Sequence, residues 1–408
     1  MITVLAPQGS ESADVRLQAL TASGVLPPFS PIVVDFLDAL SKAVLLDPSM
    51  RRFPEMAAVA HWMRKAHVLE LKADFERVRA ERIWVARGVA LHFAPANVDS
   101  IFVYSWFLSM LMGNANIVRL SERRGEQVSL LLGVLNRLLD DPRFATIADR
   151  SLVVSYEHDD AVTKRLSAAC QMRVVWGGDE SVRRLRAIPL NPLASEIVFP
   201  NRFSLAVVDA AQLASADAAV LGTLGARFVN DSYWFDQMAC SSPRLVIWVG
   251  TEADRSAARA RFWPQVAQEV ERRKIDYPEV IGLNKLVSAY VAAATGVSDA
   301  VGREITGSVS TVHLAPGAGD SFRQIECGGG LFFETESASL REVGPLLTER
   351  DQTLAYFGFS RDELAEFAQH LPTRAVDRIV PIGTALNFST VWDGNNLLQS
   401  FGREIELV

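Results

Sequence analysis

The spacing of apolar residues along the chain changes near residue 80. In the first 80 residues, apolar positions recur at intervals of three and four with charges between them, as over residues 33–46 and 56–68. This spacing is typical of amphipathic helices. We therefore expect a leading helical segment at residues 1–80.

From residue 83 onward, short runs rich in valine and isoleucine alternate with amphipathic stretches. Such alternation predicts parallel β-sheets with helices packed on both faces. The first series of predicted strands lies at residues 83–93, 116–120, 152–156 and 173–176, and the second at residues 203–208, 244–249, 311–314, 331–334 and 354–359. We expect an α/β protein with two tandem doubly wound domains, at residues 81–195 and 196–378.

Two further segments complete the predicted organisation. Residues 189–200 contain three prolines and no clear period, which favours a crossing between the two domains at this point. Residues 379–408 end in a strand-like piece at residues 403–408. We expect this segment to pack back on an earlier domain or to contact a neighbouring subunit.

Composition and charge exclude several classes of function. The 408 residues carry 41 Lys and Arg against 48 Asp and Glu, a net charge of −7 without a long basic run, so nucleic acid is not an expected partner. Cys170, Cys240 and Cys327 are too few and too far apart for a disulfide framework or a zinc cluster, which favours a reducing cytoplasm. Residues 1–9 lack the pattern of a signal peptide. The apolar run at residues 101–112 is shorter than the roughly 20 residues of a membrane span and predicts a buried helix.

Cys240 lies in the sequence WFDQMACSSP at residues 234–243, between a helix-like segment and a predicted strand. Pro243 ends any helical continuation, and the small Ser241 and Ser242 would leave the thiol approachable. Structural cysteines, in contrast, usually sit inside apolar periodic segments. The residues alone leave two interpretations open, a nucleophilic thiol and a buried, inert one.

Two loops that follow predicted strands hold further candidates. In GVALHFAPANV at residues 88–98, the Asn97 amide could donate to a developing oxyanion or cap the next helix. His92, in the same segment, is either a candidate base or a core histidine. Gly177 and Gly178 turn between a strand and a helix, which suits a phosphate group but also an ordinary turn.

In this order and spacing, these segments resemble the aldehyde dehydrogenase superfamily and, within it, the LuxC-type fatty acyl-CoA reductases. The resemblance runs from about residue 83 to the C-terminus. Its most specific motifs are HFAPANV at residues 92–98 with GNA at 113–115, WGGD at 176–179, QMACSSP at 237–243 and WDG at 392–394. It implies an aldehyde dehydrogenase-like fold with a dinucleotide-binding domain and a catalytic domain.

The resemblance also implies roles for individual residues. Cys240 corresponds to the catalytic thiol that takes the acyl group as a thioester, and its backbone N–H with the Asn97 side chain corresponds to the oxyanion hole. The cofactor-binding positions that the resemblance implies are Arg119, Ser121 and Glu122 at the adenosine ribose, Gly177 and Gly178 at the phosphates, and Glu326 at the nicotinamide ribose.

Two departures from the family pattern matter. Oxidising aldehyde dehydrogenases activate water with a glutamate in a Glu-Leu-Gly-Gly motif, whereas the nearest candidate, Glu196 in SEIVF, lacks the glycines. Glu196 is therefore either a proton-handling or a structural carboxylate. Near the ribose, Glu122 favours NADH, whereas Arg119, Arg123 and Arg124 could receive the 2′-phosphate of NADPH, the cofactor that the resemblance favours.

These observations predict the reduction of an activated acyl group, as a CoA thioester or on another carrier, to the aldehyde, and the resemblance implies that the acyl group is a fatty one. The predicted reaction uses NADPH or NADH and passes through a Cys240 thioester. An acyl-phosphate reductase of the same fold and a non-catalytic acyl-binding scaffold stay open as alternatives. The resemblance further implies an acyl-protein synthetase as partner and homo-oligomerisation through the C-terminal strand.

Overall fold

The computed structural model describes residues 2–78, 82–94, 101–302, 305, 307–325 and 327–407. The chain divides into two compact units. The N-terminal unit comprises Met1–Pro200 and Phe388–Val408, and the central unit comprises Asn201–Asn387.

The first part of the N-terminal unit combines a helical start with alternating strands and helices. Its strands are β1 (Thr3–Ala6), β2 (Ile83–Ala86), β3 (Val89–Phe93), β4 (Ala115–Leu120), β5 (Ser151–Ser155), β6 (Met172–Trp176) and β7 (Ser195–Phe199). Its helices are α1 (Ala13–Ala22), α2 (Pro31–Leu46), α3 (Pro54–Trp62), α4 (Lys65–Val78), α5 (Ile101–Leu111), α6 (Glu126–Leu139), α7 (Ala145–Ala148), α8 (Asp160–Ala169) and α9 (Asp179–Arg186). The apolar spacing predicts helices throughout residues 1–80 and misses strand β1, because a four-residue strand is too short to show a period of its own.

Six of these strands form one sheet in the order β1-β5-β4-β3-β6-β7. Strands β3 to β7 are parallel, with Phe93 beside Arg119 on β4 and beside Val175 on β6, whereas β1 pairs antiparallel with β5. The chain therefore runs outward from β3 to β4 and β5, and then crosses to β6 on the other side of β3. Because crossovers between parallel strands are right-handed in nearly all proteins, this strand order puts connecting helices on both faces, and the carboxyl ends of β3 and β6 form a topological switch point. Doubly wound sheets bind nucleotides at such a point.

Helix α5 lies in the interior of the N-terminal unit. Its residues from Phe102 to Leu111 are at most 3% exposed. This burial confirms the prediction made from the apolar run. None of the helices within the described residues is long and apolar enough to cross a membrane.

The central unit repeats the alternation of strands and helices. Its strands are β8 (Phe203–Asp209), β9 (Pro243–Val249), β10 (Ser298–Val301), β11 (Ser310–Leu314), β12 (Leu331–Ser337), β13 (Asp351–Phe357) and β14 (Arg378–Pro381). Its helices are α10 (Ala210–Ser215), α11 (Ala218–Tyr233), α12 (Glu252–Arg272), α13 (Glu279–Ala294), α14 (Leu340–Val343) and α15 (Arg361–Gln369).

Both faces of the seven-stranded sheet of the central unit are covered. The strand order is β10-β11-β12-β9-β8-β13-β14, and every neighbouring pair is parallel except β10 with β11. On β8, Leu205 and Val207 pack into one apolar cluster, whereas Ala206 and Val208 pack into another. Successive side chains of a strand point to opposite faces, so each cluster is a core between the sheet and one helical layer. The two sheets confirm the predicted doubly wound α/β class.

The last segment of the chain belongs to the N-terminal unit. It forms β15 (Val391–Trp392), β16 (Asn395–Asn396), α16 (Leu397–Phe401) and β17 (Gly402–Ile405). Strand β17 pairs antiparallel with β2, with Gly402 opposite Ala86. The run at residues 83–93, predicted as one strand, is thus two strands in different sheets, because Gly88 turns the backbone between them with a φ of 133°. This φ is one that residues with a side chain rarely adopt, so the position favours glycine.

Candidate active site

Cys240 lies in the loop between α11 and β9, after a short 3-10 turn at Trp234–Gln237. Within that turn, Phe235, Asp236 and Gln237 have φ angles of 56°, 53° and 66°. Each non-glycine residue in this left-handed region costs roughly 1–2 kcal/mol. Strained backbone of this kind persists only where its surroundings hold it, and it clusters at functional sites. Sequence analysis missed the strain, because none of the three residues is glycine or asparagine.

The Gln237 side chain holds this loop. It is fully buried, and its Nε2 donates to the backbone oxygens of Pro243 at 3.1 Å and Leu331 at 3.0 Å. Its Oε1 accepts from the Gly330 N–H at 2.9 Å. One side chain therefore ties the strained turn to the start of β9 and to the glycine turn that precedes β12.

The glycine turn at residues 328–330 packs directly against the loop. The Gly329 N–H donates to the Asp236 carbonyl at 3.0 Å. A Cβ at Gly328 would lie 2.1 Å from that carbonyl oxygen, and one at Gly330 would lie 2.4 Å from the Ser308 carbonyl oxygen. Glycine is therefore required at residue 328 by the close approach of the turn to the loop, and at residue 330 by its close approach to Ser308.

Lys285 on α13 hydrogen-bonds to the glycine turn. It is 2% exposed, and its Nζ donates to the Gly329 carbonyl at 3.0 Å and also to the Gly307 carbonyl. Burial lowers the pKa of Lys285. Sequence analysis gave no role to Lys285, which lies within a helical stretch far from Cys240 along the chain.

The backbone of Cys240 is anchored to the central sheet. Its carbonyl oxygen accepts from the Ser204 Oγ on β8 at 2.6 Å, and the same Oγ accepts from the Thr353 N–H on β13 at 3.2 Å. The Cys240 Sγ lies 4.0 Å from the Ser241 Oγ. The nucleophile candidate is thus fixed at the amino end of β9 by its own main chain.

The three cysteines, all within the described residues, differ in accessibility. Cys170 and Cys327 are buried, whereas Cys240 is half-buried. Burial raises the pKa of the Cys170 thiol to about 11 and also raises that of Cys327. Because the thiolate is the reactive form, these two buried thiols are poor nucleophiles at neutral pH. Accessibility favours Cys240.

The predicted ribose-binding residues lie at the carboxyl end of β4. The Arg119 Nη2 donates to the Tyr156 carbonyl at 3.1 Å, and its guanidinium lies 5.3 Å from the centre of the Tyr156 ring. Burial lowers the pKa of Arg119. Ser121 is half-buried and Glu122 is exposed in the turn that follows. Arg119 is therefore held in place by the protein, whereas the Glu122 side chain is open to solvent.

Gly177 and Gly178 follow β6 at the topological switch point. The Gly177 N–H donates to the Phe199 carbonyl at 3.2 Å, and Gly178 is the N-cap of α9. Asp179 and Glu180 in the first turn of α9 place negative charge at this helix N-terminus, which disfavours an anion bound by the helix itself. The acidic first turn therefore argues against a phosphate site formed by the N-terminus of α9 itself.

Glu196 on β7 is paired with arginines. Its carboxylate accepts from the Arg173 Nε on the neighbouring strand at 2.6 Å and lies 3.2 Å from the Arg186 Nε. The Arg173 side chain is 2% exposed and also donates to the Ile188 carbonyl. Both carboxylate oxygens of Glu196 thus have guanidinium partners. This arrangement favours the structural interpretation of Glu196.

His92 is a core residue of β3. It is fully buried, with its Nε2 3.1 Å from the Asn116 Oδ1 and its Nδ1 3.2 Å from the Ser105 Oγ. Burial lowers the pKa of His92 to about 4. His92 is therefore neutral near pH 7 and hydrogen-bonded on both ring nitrogens, which favours the core interpretation over that of a base.

Two predicted site residues lie outside the described residues. They are Asn97, the candidate oxyanion donor, and Glu326, the candidate for the nicotinamide ribose. The nearest described residues before them are Ala94, three positions before Asn97, and Ile325, directly before Glu326. Ala94 directly follows β3, at the switch point, and Ile325 is in the segment before the glycine turn.

Solved structures of aldehyde dehydrogenases share this fold. The NAD-dependent benzaldehyde dehydrogenase of Corynebacterium glutamicum matches with a TM-score of 0.63 at 14% identity, over 99% of this chain and 92% of that one. Aldehyde dehydrogenase 21 of Physcomitrella patens matches with a TM-score of 0.66 at 10% identity, over 96% of this chain and 89% of that one. At these identities the matches establish the aldehyde dehydrogenase-like fold and no more.

Sequence comparison identifies the family. The long-chain acyl-protein thioester reductase 2 of Photobacterium leiognathi is 23% identical over 196 residues, which cover 47% of this chain and 37% of that protein. The match thus spans less than two-fifths of that relative. The family described as acyl-CoA reductase (LuxC) matches residues 63–287, more than half of the chain and a range that contains Cys240. The chain therefore belongs to the LuxC family of acyl-CoA reductases.

Proposed function

We propose that this chain reduces an activated fatty acyl group to the aldehyde with NAD(P)H, and that Cys240 is the nucleophile. The observation that carries the proposal is the loop around Cys240. There, the buried side chain of Gln237 anchors a strained turn of three residues directly before an accessible thiol. The chain that carries this loop belongs to a family of acyl reductases. The two other thiols are buried, which leaves Cys240 as the candidate that an acyl donor can reach.

The first step is a thioester exchange. The Cys240 thiolate attacks the acyl carbonyl carbon, a new C–S bond forms, and the bond to the donor sulfur breaks. The donor leaves as a thiolate and takes up a proton. The Cys240 backbone N–H and the Asn97 amide are the proposed donors to the oxyanion of the tetrahedral intermediate.

A nicotinamide dinucleotide fits the switch point of the N-terminal sheet. Phe93 ends β3 and Trp176 ends β6, and the carboxyl ends of these two neighbouring strands lie at the switch point, where doubly wound sheets bind dinucleotides. Arg119, Ser121, Glu122, Gly177, Gly178 and Glu326 are the residues proposed to hold it. When bound, the reduced cofactor supplies the hydride that converts the thioester into aldehyde and frees the thiol.

We propose NADPH rather than NADH as the preferred cofactor. Arg119 already donates to the Tyr156 carbonyl, whereas Arg123 and Arg124 are exposed directly after β4. These two guanidinium groups are suited to a 2′-phosphate. The exposed Glu122 opposes this preference, because a carboxylate at this place bonds a free 2′-hydroxyl.

Glu196 does not act in hydrolysis under this proposal. A carboxylate that activates water needs a free oxygen, and both oxygens of Glu196 face guanidinium nitrogens. An acyl reductase also gains from leaving the thioester unhydrolysed, because hydrolysis would release the fatty acid in place of the aldehyde. We infer that Glu196 stabilises β6 and β7.

The acyl donor is proposed to be a thioester of CoA or of a protein. The relative from Photobacterium leiognathi is named for an acyl-protein thioester, which favours a protein donor and an acyl-protein synthetase as partner. The small number and wide spacing of the three cysteines support a reducing, cytoplasmic setting. Homo-oligomerisation is part of the same proposal.

Intact-mass spectrometry with acyl-CoA thioesters of several chain lengths tests this proposal. The wild-type chain, Cys240→Ala and the matched control Cys327→Ala are mixed with each thioester without nicotinamide. We expect an acyl-sized adduct on the wild type and on Cys327→Ala only, and its loss on addition of NADPH or NADH. An adduct on Cys240→Ala as well would move the nucleophile elsewhere, and no adduct on any protein would contradict the thioester mechanism.

A further inference from the structure

Helix α13 carries a lysine that is buried among neutral groups. Lys285 is 2% exposed, and its Nζ donates to the carbonyl oxygens of Gly329 and Gly307. Among the described residues, no carboxylate lies within ion-pair distance of this amine. Lysine is rarely this buried without an anionic partner, because burying its ammonium group costs free energy. The placement is therefore unfavourable for stability by itself and indicates a further role for the amine.

The amine lies at one end of a chain of hydrogen bonds that reaches Gln237. The Gly329 carbonyl, which accepts from the Lys285 Nζ at 3.0 Å, belongs to the same peptide group as the Gly330 N–H. That N–H donates to the Gln237 Oε1 at 2.9 Å, and the Gln237 Nε2 donates in turn to the Pro243 carbonyl at 3.1 Å. Hydrogen bonds in such a chain polarise and strengthen one another. The amine therefore strengthens the attachment of Gln237 to β9.

A second contact leads from the same glycine to the strained turn. The Gly329 N–H donates to the carbonyl of Asp236, one of the three left-handed residues before Cys240. Residues 328–330 are all glycine, which has the greatest backbone freedom, so contacts from other residues determine how their peptide groups are oriented. Lys285 thus fixes the carbonyl of the residue whose N–H holds the turn.

Helix α13 gives the amine a fixed base. Ala289 and Ala292 are at most 1% exposed and pack into the core on one side of the central sheet. Lys285 lies four residues before Ala289 and therefore on the same face of the helix. The side chain of Lys285 thus extends from a packed helix to a turn that has no side chains of its own.

We propose that Lys285 is a positioning residue for Cys240. Through the peptide group between Gly329 and Gly330, and through Gln237, it holds the loop in the conformation in which the thiol accepts the acyl group. The inference rests on the proposed function, because it takes Cys240 as the nucleophile. It assigns to Lys285 an effect on the rate of acylation that is separate from any effect on stability.

Single-turnover acylation by an acyl-CoA thioester, followed by intact-mass spectrometry, tests the proposal. Lys285→Met keeps the length of the side chain but removes the amine, whereas Lys285→Arg keeps N–H donors. The matched control is Lys164→Met, because Lys164 is exposed on α8. In Lys285→Met, shown to be folded by urea denaturation, we expect the maximal rate to fall by at least roughly tenfold and the half-saturating thioester concentration to stay unchanged. Lys285→Arg should recover part of the lost rate, and Lys164→Met should match the wild type.

A double-mutant cycle tests the connection to Gln237. The effects of independent sites on the rate multiply, whereas the effects of residues in one hydrogen-bond chain do not. We therefore expect Lys285→Met combined with Gln237→Met to be acylated little more slowly than Gln237→Met alone. Effects that multiply would overturn the proposal. So would an unchanged maximal rate in folded Lys285→Met, whether or not the half-saturating concentration changes.

Alkylation of Cys240 by iodoacetamide, located by peptide mass spectrometry, separates this inference from the proposed function, because it needs no acyl donor. A wild type that takes no acyl group contradicts the proposed function, and alkylation then still reports on Lys285. We expect the alkylation rate of Cys240 to fall several-fold in Lys285→Met, since a relaxed loop no longer presents the thiol. A rate at or above that of the wild type would overturn the inference. If Lys285→Met does not fold, Lys285→Gln replaces it in all three experiments, because its shorter side chain cannot span the same contacts.

Discussion

Replacing Gln237 by methionine tests whether the buried amide holds the nucleophile loop. Gln237→Met keeps the length of the side chain but removes three hydrogen bonds, to Pro243, Leu331 and Gly330. At a net value of about 1 kcal/mol for each bond, the free energy of unfolding should fall by about 3 kcal/mol. The three left-handed residues store roughly 3–6 kcal/mol of strain, so the loss is large enough to let the turn relax.

Two measurements on Gln237→Met separate stability from positioning. Urea denaturation reports the free energy of unfolding, and intact-mass spectrometry reports the rate of Cys240 acylation at a temperature where the variant is still folded. We expect both to fall, and the acylation rate to fall at least tenfold. The matched control is Gln212→Met, because Gln212 is exposed on α10 and should tolerate the change. An unfolding free energy within about 0.5 kcal/mol of the wild type, the range of neutral surface changes, would refute the reasoning. So would an unchanged acylation rate in a variant that is destabilised but folded.

Three further predictions concern the N-terminal unit. Glu196→Gln should lower the unfolding free energy by about 3 kcal/mol in urea denaturation, because the buried Arg173 loses its carboxylate partner. Acylation of Cys240 should stay unchanged. Loss of acylation in a variant that is still folded would indicate that Glu196 takes part in the reaction. Because burial lowers the pKa of His92 from 6.5 to about 4, the unfolded chain binds a proton that the folded chain does not bind between these pH values. The free energy of unfolding should therefore fall by on the order of 3 kcal/mol as the pH drops through this window. In urea denaturation, the unfolding free energy of His92→Gln should depend less steeply on pH than that of the wild type. An identical pH dependence would contradict the assignment of His92 as a buried neutral residue. Arg123→Ala and Arg124→Ala should raise the KM for NADPH several-fold in steady-state assays and leave the KM for NADH unchanged. Equal effects on the two KM values would contradict the proposed contact with the 2′-phosphate.

The sequence predicted the fold class because its strands are buried on both faces. Strands such as β8 read as continuous apolar runs, and the amphipathic stretches between them read as helices. Short edge elements were missed, as β1 shows, because four residues paired antiparallel at an edge carry no distinctive pattern. Gly88 was visible in the sequence, but its positive φ, which splits the predicted strand at residues 83–93, was not.

The candidate site was predictable at Cys240 and less so around it. Small polar residues and a proline marked the loop, and they are local signals. The contacts that hold the loop are not local, since Gln237 reaches Leu331 on another strand and Lys285 reaches Gly329. The pairing of Glu196 with Arg173 was invisible for the same reason, since only the register of β6 and β7 brings the two side chains together.

The attachment of Gln237 to both β9 and the turn before β12 links the nucleophile to the assembly of the whole central unit. The amide finds its partners only after strands nearly a hundred positions apart have come together, so a nascent or partly unfolded chain lacks the strained turn. The reactive thiol therefore takes its working geometry late in folding. On heating, the capacity of Cys240 to accept an acyl group should be lost when the central sheet unfolds and not before. Each molecule should therefore be either folded and able to accept an acyl group or unfolded and unable to do so.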